Sequence, residues 1–118
     1  MRYLILSALL SCPLPLAAAD WALRPTDEPF SQAELEALPG QSFVFYDDGE
    51  SIYGADGAYS YTYSIANGAG TAWGSYHIVE DGSVCVHFVT GAERCDFFVR
   101  NGSRVLVITE EGERFPVR

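Results

Sequence analysis

Residues 84–100 read VCVHFVTGAERCDFFVR, and this stretch decides the fold of the chain. Apolar side chains alternate with other residues over 84–89, which is the period-two pattern of a half-buried strand. A second apolar run covers residues 95–100, and the glycine-containing segment 90–93 separates the two runs. The stretch therefore predicts a β-hairpin with two antiparallel strands.

The two cysteines of this hairpin are expected to form a disulfide bond. Cys85 and Cys95 would face each other on adjacent strands, within bridging distance. A chain-entropy argument gives about 2.5–3 kcal/mol of stabilisation for a closed loop of roughly ten residues. A redox-active pair is the alternative, but it would favour closer spacing, such as Cys-x-x-Cys, and a basic setting, and neither is present.

Short strands and tight turns continue on both sides of the hairpin. Tyr59, Tyr61 and Tyr63 alternate with small residues, and residues 105–109 form an apolar run that should be central or buried on both faces. Asn-Gly and Asp-Gly pairs are strong hairpin signals because both residues accept a positive φ. The turn signals are Asp48-Gly49, Asp56-Gly57, Asn67-Gly68, Asp81-Gly82, Gly91, Asn101-Gly102 and Glu111-Gly112.

Tight turns force neighbouring strands to run antiparallel, because parallel strands need long crossover connections. We therefore predict an all-β fold with one short N-terminal helix. The sheet is expected to be an antiparallel meander of about eight strands that forms a small barrel or a strongly curved sheet.

The predicted helix lies just before the strands. Ser31 and Glu34 form a Ser-x-x-Glu capping box, in which each side chain satisfies a free backbone N–H of the other residue. Leu35 and Leu38 supply a small apolar face, and a Pro-Gly pair ends the segment. A helix of about two turns is not stable alone in water, so we expect it to cover one open end of the sheet.

The first residues of the chain predict export. Residues 1–19 read MRYLILSALLSCPLPLAAA, with a positive Arg2, an apolar centre and a small-residue cleavage site ending at Ala19. This is the anatomy of a secretory signal peptide. A lipoprotein acylated at Cys12 is the alternative. The predicted location is the periplasm or the cell exterior, where disulfide bonds persist.

The remaining chain is predicted to form one domain. Residues 20–30 contain two prolines and no periodicity, which indicates an extended lead-in with Trp21 or Leu23 packed on the domain. Residues 31–118 then make up a single β-barrel-like domain, since their number suits one core and no more.

The charge balance narrows the possible partners. The chain carries 16 acidic and 7 basic side chains, for a formal net charge of −9. This argues against nucleic acid and anionic membranes as partners, because both are bound by neutralising phosphates. No stretch after Asp20 is long and apolar enough to span a bilayer. The acidic segments 47–50 and 110–113 lack EF-hand spacing and are interpreted as solvated turns.

Aromatic side chains are the first group of candidate binding residues. Aromatic rings over an open sheet face can bind sugars, lipids or peptides, but they also fill cores while their hydroxyls reach the surface. We favour the core interpretation and keep ligand binding as the alternative. The residues are Tyr59, Tyr61, Tyr63, Trp73 and Tyr76.

The two histidines are the second candidate group. His77 and His87 lie in strands joined by one turn, so they could face each other and bind a metal ion together with Asp96 or Glu80. A zinc site usually has three or four protein ligands, and only two are evident here, so ordinary strand histidines are favoured. A catalytic trio of Ser75, His77 and Asp96 is conceivable, but no sequence motif of an enzyme supports it.

Several motifs follow one another in a recognisable order. They are the helix ending in residues 38–43 (LPGQSF), an aromatic strand, residues 72–82 (AWGSYHIVEDG), and the segment from Cys85 to Cys95. This order resembles small exported proteins of unknown function that are common in alphaproteobacteria. The resemblance implies a location in the periplasm of a Gram-negative bacterium. It implies no activity.

Three functional hypotheses remain from the sequence. The favoured one is a non-catalytic binding module without a cofactor, whose partner is a small hydrophobic molecule, a glycan or an envelope protein. Such a module should have a cavity or an aromatic groove that opens at one end of the barrel. The alternatives are a metal-binding or catalytic protein that uses His77 and His87, and a structural or inhibitor-like protein that acts through an exposed edge strand.

Overall fold

The computed structural model describes residues 20–118, so the predicted signal peptide and the alternative lipid site at Cys12 lie outside the described residues. The described part is an antiparallel sheet with one short helix, which confirms the predicted all-β fold. Its strands are β1 (Glu28–Pro29), β2 (Ser42–Val44), β3 (Glu50–Tyr53), β4 (Ala58–Thr62), β5 (Thr71–Ile78), β6 (Val84–Phe88), β7 (Glu93–Asn101), β8 (Arg104–Thr109) and β9 (Arg114–Pro116). The helix α1 spans Gln32–Glu36, and a 3-10 turn spans Ile65–Asn67.

Strands β2 to β9 pair in sequence order, as the rhythm of turns predicts. The sheet curls so strongly that its two ends meet. Phe45 and Val117 form an isolated bridge there, and the Arg118 amide donates to the Val44 carbonyl at 2.8 Å. Strand β1 was not predicted; it adds to β7 with Pro29 opposite Val99.

The predicted disulfide is confirmed. Cys85 on β6 lies directly opposite Cys95 on β7, with 4.0 Å between their Cα atoms. The neighbouring residues Val84 and Val86 are completely buried, so the cysteines point to the outer face of the curled sheet. The disulfide therefore fixes the register of this hairpin from outside the core.

The sheet has apolar clusters on both faces. The inner core is enclosed by the curl and includes Leu38, Phe43, Tyr53, Tyr59, Val84, Val86, Phe98 and Val107. A second cluster lies on the outer face of β7 and β8 and consists of Trp21, Phe97, Val99, Leu106 and Ile108. Strand β8 thus contributes buried side chains to both clusters, as its apolar run predicts.

The N-terminal lead-in covers the outer cluster. The Trp21 ring stacks on Phe97 with 5.3 Å between the ring centroids, whereas Leu23 is exposed. Of the two residues proposed to pack on the domain, Trp21 does so. The lead-in thereby shields β7 and β8, which would otherwise expose their outer apolar side chains to water.

Helix α1 closes one end of the curled sheet. The predicted capping box at Ser31 is present. The helix is shorter than the two turns predicted. It ends at its C-cap Ala37, and Pro39, two residues further on, prevents it from continuing. Leu35 and Leu38 enter the inner core, and the helix lies beside the β5–β6 turn.

The opposite end of the curled sheet remains open. Strand directions alternate in a meander, so this end is surrounded by the β2–β3, β4–β5, β6–β7 and β8–β9 turns.

Among residues 20–118 there is no helix with both the length and the apolar character that crossing a membrane would require.

Candidate functional site

A cavity of about 340 Å³ lies at the open end, and we call it the mouth cavity. One group of its lining side chains is aromatic: Phe45, Tyr53, Tyr61, Tyr63 and Phe115. A second group is charged: Asp47, Arg94, Asp96, Glu111 and Glu113. Its volume falls in the usual range of small-molecule sites, which combine an apolar lining with a few polar groups.

The aromatic side chains form a connected wall. The Phe45 ring lies 6.4 Å from Tyr61 and 6.5 Å from Phe115. Tyr61 and Tyr63 meet edge to face at 4.9 Å. Tyr63 is 47% exposed and Phe115 is 43% exposed, so parts of these rings are available at the mouth.

A buried ion pair lies at the inner end of this wall. The Arg94 Nε donates to both oxygens of Asp96, at 3.1 and 3.0 Å. Its Nη2 crosses the interior and donates to the Tyr59 hydroxyl at 2.8 Å, which in turn lies 3.0 Å from the Ser51 hydroxyl. These hydrogen bonds connect β7, β4 and β3 behind the cavity, so the position of the Arg94 guanidinium is fixed.

Burial affects the two partners of this pair differently. Burial raises the pKa of Asp96 above its usual range, and the attraction of Arg94 offsets this only in part. Glu110 and Glu111 raise the Asp96 pKa further. Burial opposes the charge on Arg94, but Asp96 and Tyr59 outweigh it, so the Arg94 pKa is raised. The raised pKa of Asp96 follows from its side chain being only 2% exposed, against 36% for Arg94.

This raised pKa predicts a specific pH dependence of stability. Because the folded chain holds the Asp96 proton more tightly than the unfolded chain does, the Asp96 contribution to stability falls as the pH rises from about 4 through the folded-state pKa. Urea denaturation of the wild type and of Asp96→Asn between about pH 4 and 7 tests this. We expect the wild type to lose stability relative to the variant as the pH rises. A relative gain would show that Arg94 outweighs burial.

The rim of the mouth cavity is acidic. Asp47 comes from the β2–β3 turn, and Glu111 and Glu113 come from the β8–β9 turn, so the two segments interpreted as solvated turns border one cavity. None of these three carboxylates forms an ion pair with another described residue, whereas the nearby Asp48 pairs with Arg118 at 2.5 Å. The cavity therefore lies in a negative field.

The predicted histidine pair lies on the outer face, away from the mouth cavity. His77 is opposite Cys85 and His87 is opposite Ser75, so the histidines are diagonal neighbours rather than directly opposed. Their rings stack with centroids 5.1 Å apart, and Nδ1 of His87 lies 2.9 Å from Glu93. Among the residues that the structure describes, no three His, Cys, Asp or Glu side chains are grouped to hold a metal ion.

The conceivable trio of Ser75, His77 and Asp96 does not assemble. Ser75 and His77 point to the outer face of β5, whereas Asp96 is buried on the inner face of β7. The sheet lies between them. The same separation prevents Asp96 from joining the histidines as a metal ligand.

The five candidate aromatic residues divide between the two faces. Tyr59 is completely buried in the core, and the Tyr76 hydroxyl donates to the Gly54 carbonyl at 2.7 Å. Tyr61 and Tyr63 line the mouth cavity. Trp73 lies alone on the outer face and is 62% exposed. Core filling and cavity lining thus both occur on the inner face.

Sequence reasoning missed the Arg94–Asp96 pair as part of a site. A signal for its position was available. Because Val84 and Val86 point inwards, the intervening Cys85 must point outwards, and so must its partner Cys95. The two residues that flank Cys95 must then point into the core, where charges are rare unless they are paired.

No family model matches this sequence, and comparisons with curated proteins and with solved structures found no match either.

Proposed function

We propose that this protein is an exported, non-catalytic binding module that holds a small molecule in the mouth cavity. The observation that carries the proposal is a cavity of about 340 Å³ at the one end of the curled sheet that the helix does not close. Its aromatic wall offers apolar contact, and the ion pair behind it offers fixed polar groups.

Export is the second part of the proposal. The described residues contain a disulfide between Cys85 and Cys95, which fits an oxidising compartment. The composition of residues 1–19 supports a cleaved signal peptide. The resemblance to exported alphaproteobacterial proteins favours the periplasm.

The way the sheet ends favours a binding module over an inhibitor-like protein. An inhibitor of that kind would use a free edge strand as a template for pairing. Here the ends of the sheet meet at Phe45 and Val117, and the Arg118 amide already donates to Val44. These contacts occupy part of the edge that an inhibitor of that kind would use.

The proposal is tested with an uncharged fluorescent probe, N-phenyl-1-naphthylamine, whose emission rises in apolar sites. We expect saturable binding to the mature protein. Thr109→Trp places a large ring into the cavity and should weaken binding at least about tenfold, which corresponds to about 1.4 kcal/mol. Trp73→Ala is the matched control, because it removes an aromatic ring from the outer face.

Circular dichroism and urea denaturation establish that both variants are folded. Absence of saturable binding to the folded wild type would refute the proposal. Binding that is lost in Trp73→Ala but retained in Thr109→Trp would also refute it, because the probe would then occupy the outer face.

A further inference from the structure

The mouth cavity combines two features that together define a ligand class. Aromatic rings carry negative potential on their faces. The rim adds the carboxylates of Asp47, Glu111 and Glu113, which have no basic partner among the described residues. An apolar ligand alone would be bound by the rings but would gain nothing from the carboxylates.

We propose that the ligand of the mouth cavity is an organic cation, such as an alkylated ammonium group with apolar substituents. This inference rests on the proposed binding function and adds the chemical class. The aromatic wall would contact the alkyl groups and attract the charge through the ring faces. The acidic rim would supply the counter-charge, and it would disfavour anions of the same shape.

Within the part of the chain that the structure describes, Arg94 is the only basic side chain that lines the cavity, and its charge is already compensated. Its Nε is occupied by Asp96, and its Nη2 by the Tyr59 hydroxyl. Its guanidinium also lies 5.8 Å from the Tyr59 ring centroid and 5.7 Å from that of Phe88. The pair is nearly neutral as a unit, so the rim carboxylates determine the net charge that a ligand meets.

Behind the cavity, the guanidinium of Arg94 already lies against two aromatic rings of the inner core. The faces of Tyr59 and Phe88 lie against Arg94 at distances typical of cation–π pairs. Burial raises the pKa of Tyr61, and the nearby Asp47 carboxylate raises it further. The overall charge of −9 would attract cations from solution.

The test compares two probes of the same shape, choline and its uncharged isostere 3,3-dimethylbutan-1-ol. Their dissociation constants are measured by NMR titration of the mature protein, with chemical shifts followed at Tyr61 and Tyr63. We expect choline to bind about tenfold more tightly than the isostere, since several rings and carboxylates each contribute a modest attraction.

Charge variants identify the source of the preference. Glu111→Gln combined with Glu113→Gln should weaken choline binding about fivefold and weaken binding of the uncharged isostere much less. The matched control combines Glu36→Gln with Glu93→Gln, which removes two charges from the helix and from the outer face. This control should bind choline like the wild type.

Tyr63→Leu keeps apolar volume at the mouth but removes a ring face. It should weaken choline binding and affect the isostere much less. Equal affinity for choline and the isostere would overturn the cation inference, and so would equal effects of the two double variants. If the uncharged fluorescent probe still binds in that case, the binding function stands and only the ligand class is wrong.

Discussion

Replacing Asp27 with alanine is expected to lower the free energy of unfolding by about 2–3 kcal/mol, the range for losing hydrogen bonds to a charged group in a partly buried ion pair. The Asp27 side chain is 0% exposed and that of its partner Arg114 is 14% exposed. Two nitrogens of Arg114 donate to the carboxylate at 2.7 and 2.8 Å. The alanine variant would leave the partly buried Arg114 guanidinium without a counter-charge.

Asp27 also attaches the lead-in to the sheet. Its carboxylate accepts from Asn101 Nδ2 at 2.9 Å and from the Arg24 amide at 2.8 Å. Asn101 ends β7 and Arg114 begins β9, so one carboxylate joins three parts of the chain. Loss of Asp27 should therefore loosen residues 20–30 and expose the outer apolar cluster that they cover.

Asp48→Asn provides the control for this prediction, because asparagine tolerates the positive φ of 68° at this position and alanine does not. Asp48 also pairs with an arginine, Arg118, but both side chains are more than half exposed. An exposed pair contributes about 0–1 kcal/mol. Urea denaturation at pH 7 measures both variants. If Asp27→Ala destabilises the protein no more than Asp48→Asn does, the Asp27–Arg114 pair does not anchor the lead-in.

The pH dependence of the Asp27 contribution should have the opposite sign to that of Asp96. Hydrogen bonding to Arg114 lowers the pKa of Asp27 far below its usual range, despite the opposing effect of burial. Its contribution to stability is therefore complete above the unfolded pKa of about 3.9 and is lost as the pH falls through the folded-state pKa. Asp27→Asn should remove this acid-sensitive part from denaturation curves below about pH 4.

The features that the sequence predicted correctly depend on local rules. The capping box at Ser31 needs only residues three apart, and the Cys85–Cys95 pairing needs only one turn between two alternating runs. The apolar run of β8 indicates burial on both faces without any knowledge of its neighbours. Such features depend on residues that are close in the sequence, so they can be predicted before any tertiary contact is known.

The position of Trp73 could not be predicted, because it depends on the register between β4 and β5. Tyr59 pairs with Gly74, which places Trp73 on the face opposite to the tyrosines. The connection over residues 63–70 contains a 3-10 turn, and a length one residue different would have reversed every side chain of β5. A tight two-residue turn determines which side chains of the next strand share a face with those of the strand before it. A longer loop leaves this open.

The mouth cavity also could not be predicted from local sequence rules. Phe45 and Phe115 meet there only because the sheet curls until the segments next to β2 and β9 meet at the Phe45–Val117 bridge. Asp47 and Glu111 belong to turns far apart in the sequence, and only the alternation of strand directions brings both to the open end. A sequence can indicate acidic turns, but the fold determines that they share one opening.

The second prediction with a large expected effect concerns the disulfide bond. Replacing Cys85 and Cys95 together with serine should lower the free energy of unfolding by about 2.5–3 kcal/mol, because the unfolded chain regains the freedom of a loop that closes over a sequence separation of 10. For a domain of this size that is a large share of the total stability. Urea denaturation measures the difference between the wild type and the double variant.

Reduction of the wild type provides the matched comparison for the serine variant. A strong reductant should lower the urea midpoint of unfolding of the wild type to about that of the double variant. The midpoint of the variant itself should not change. Because Arg94 and Asp96 flank Cys95 on β7, the released hairpin should also loosen the ion pair behind the mouth cavity. We therefore expect the folded variant to bind N-phenyl-1-naphthylamine more weakly than the oxidised wild type. Unchanged binding together with unchanged stability would show that β6 and β7 keep their register without the covalent bond.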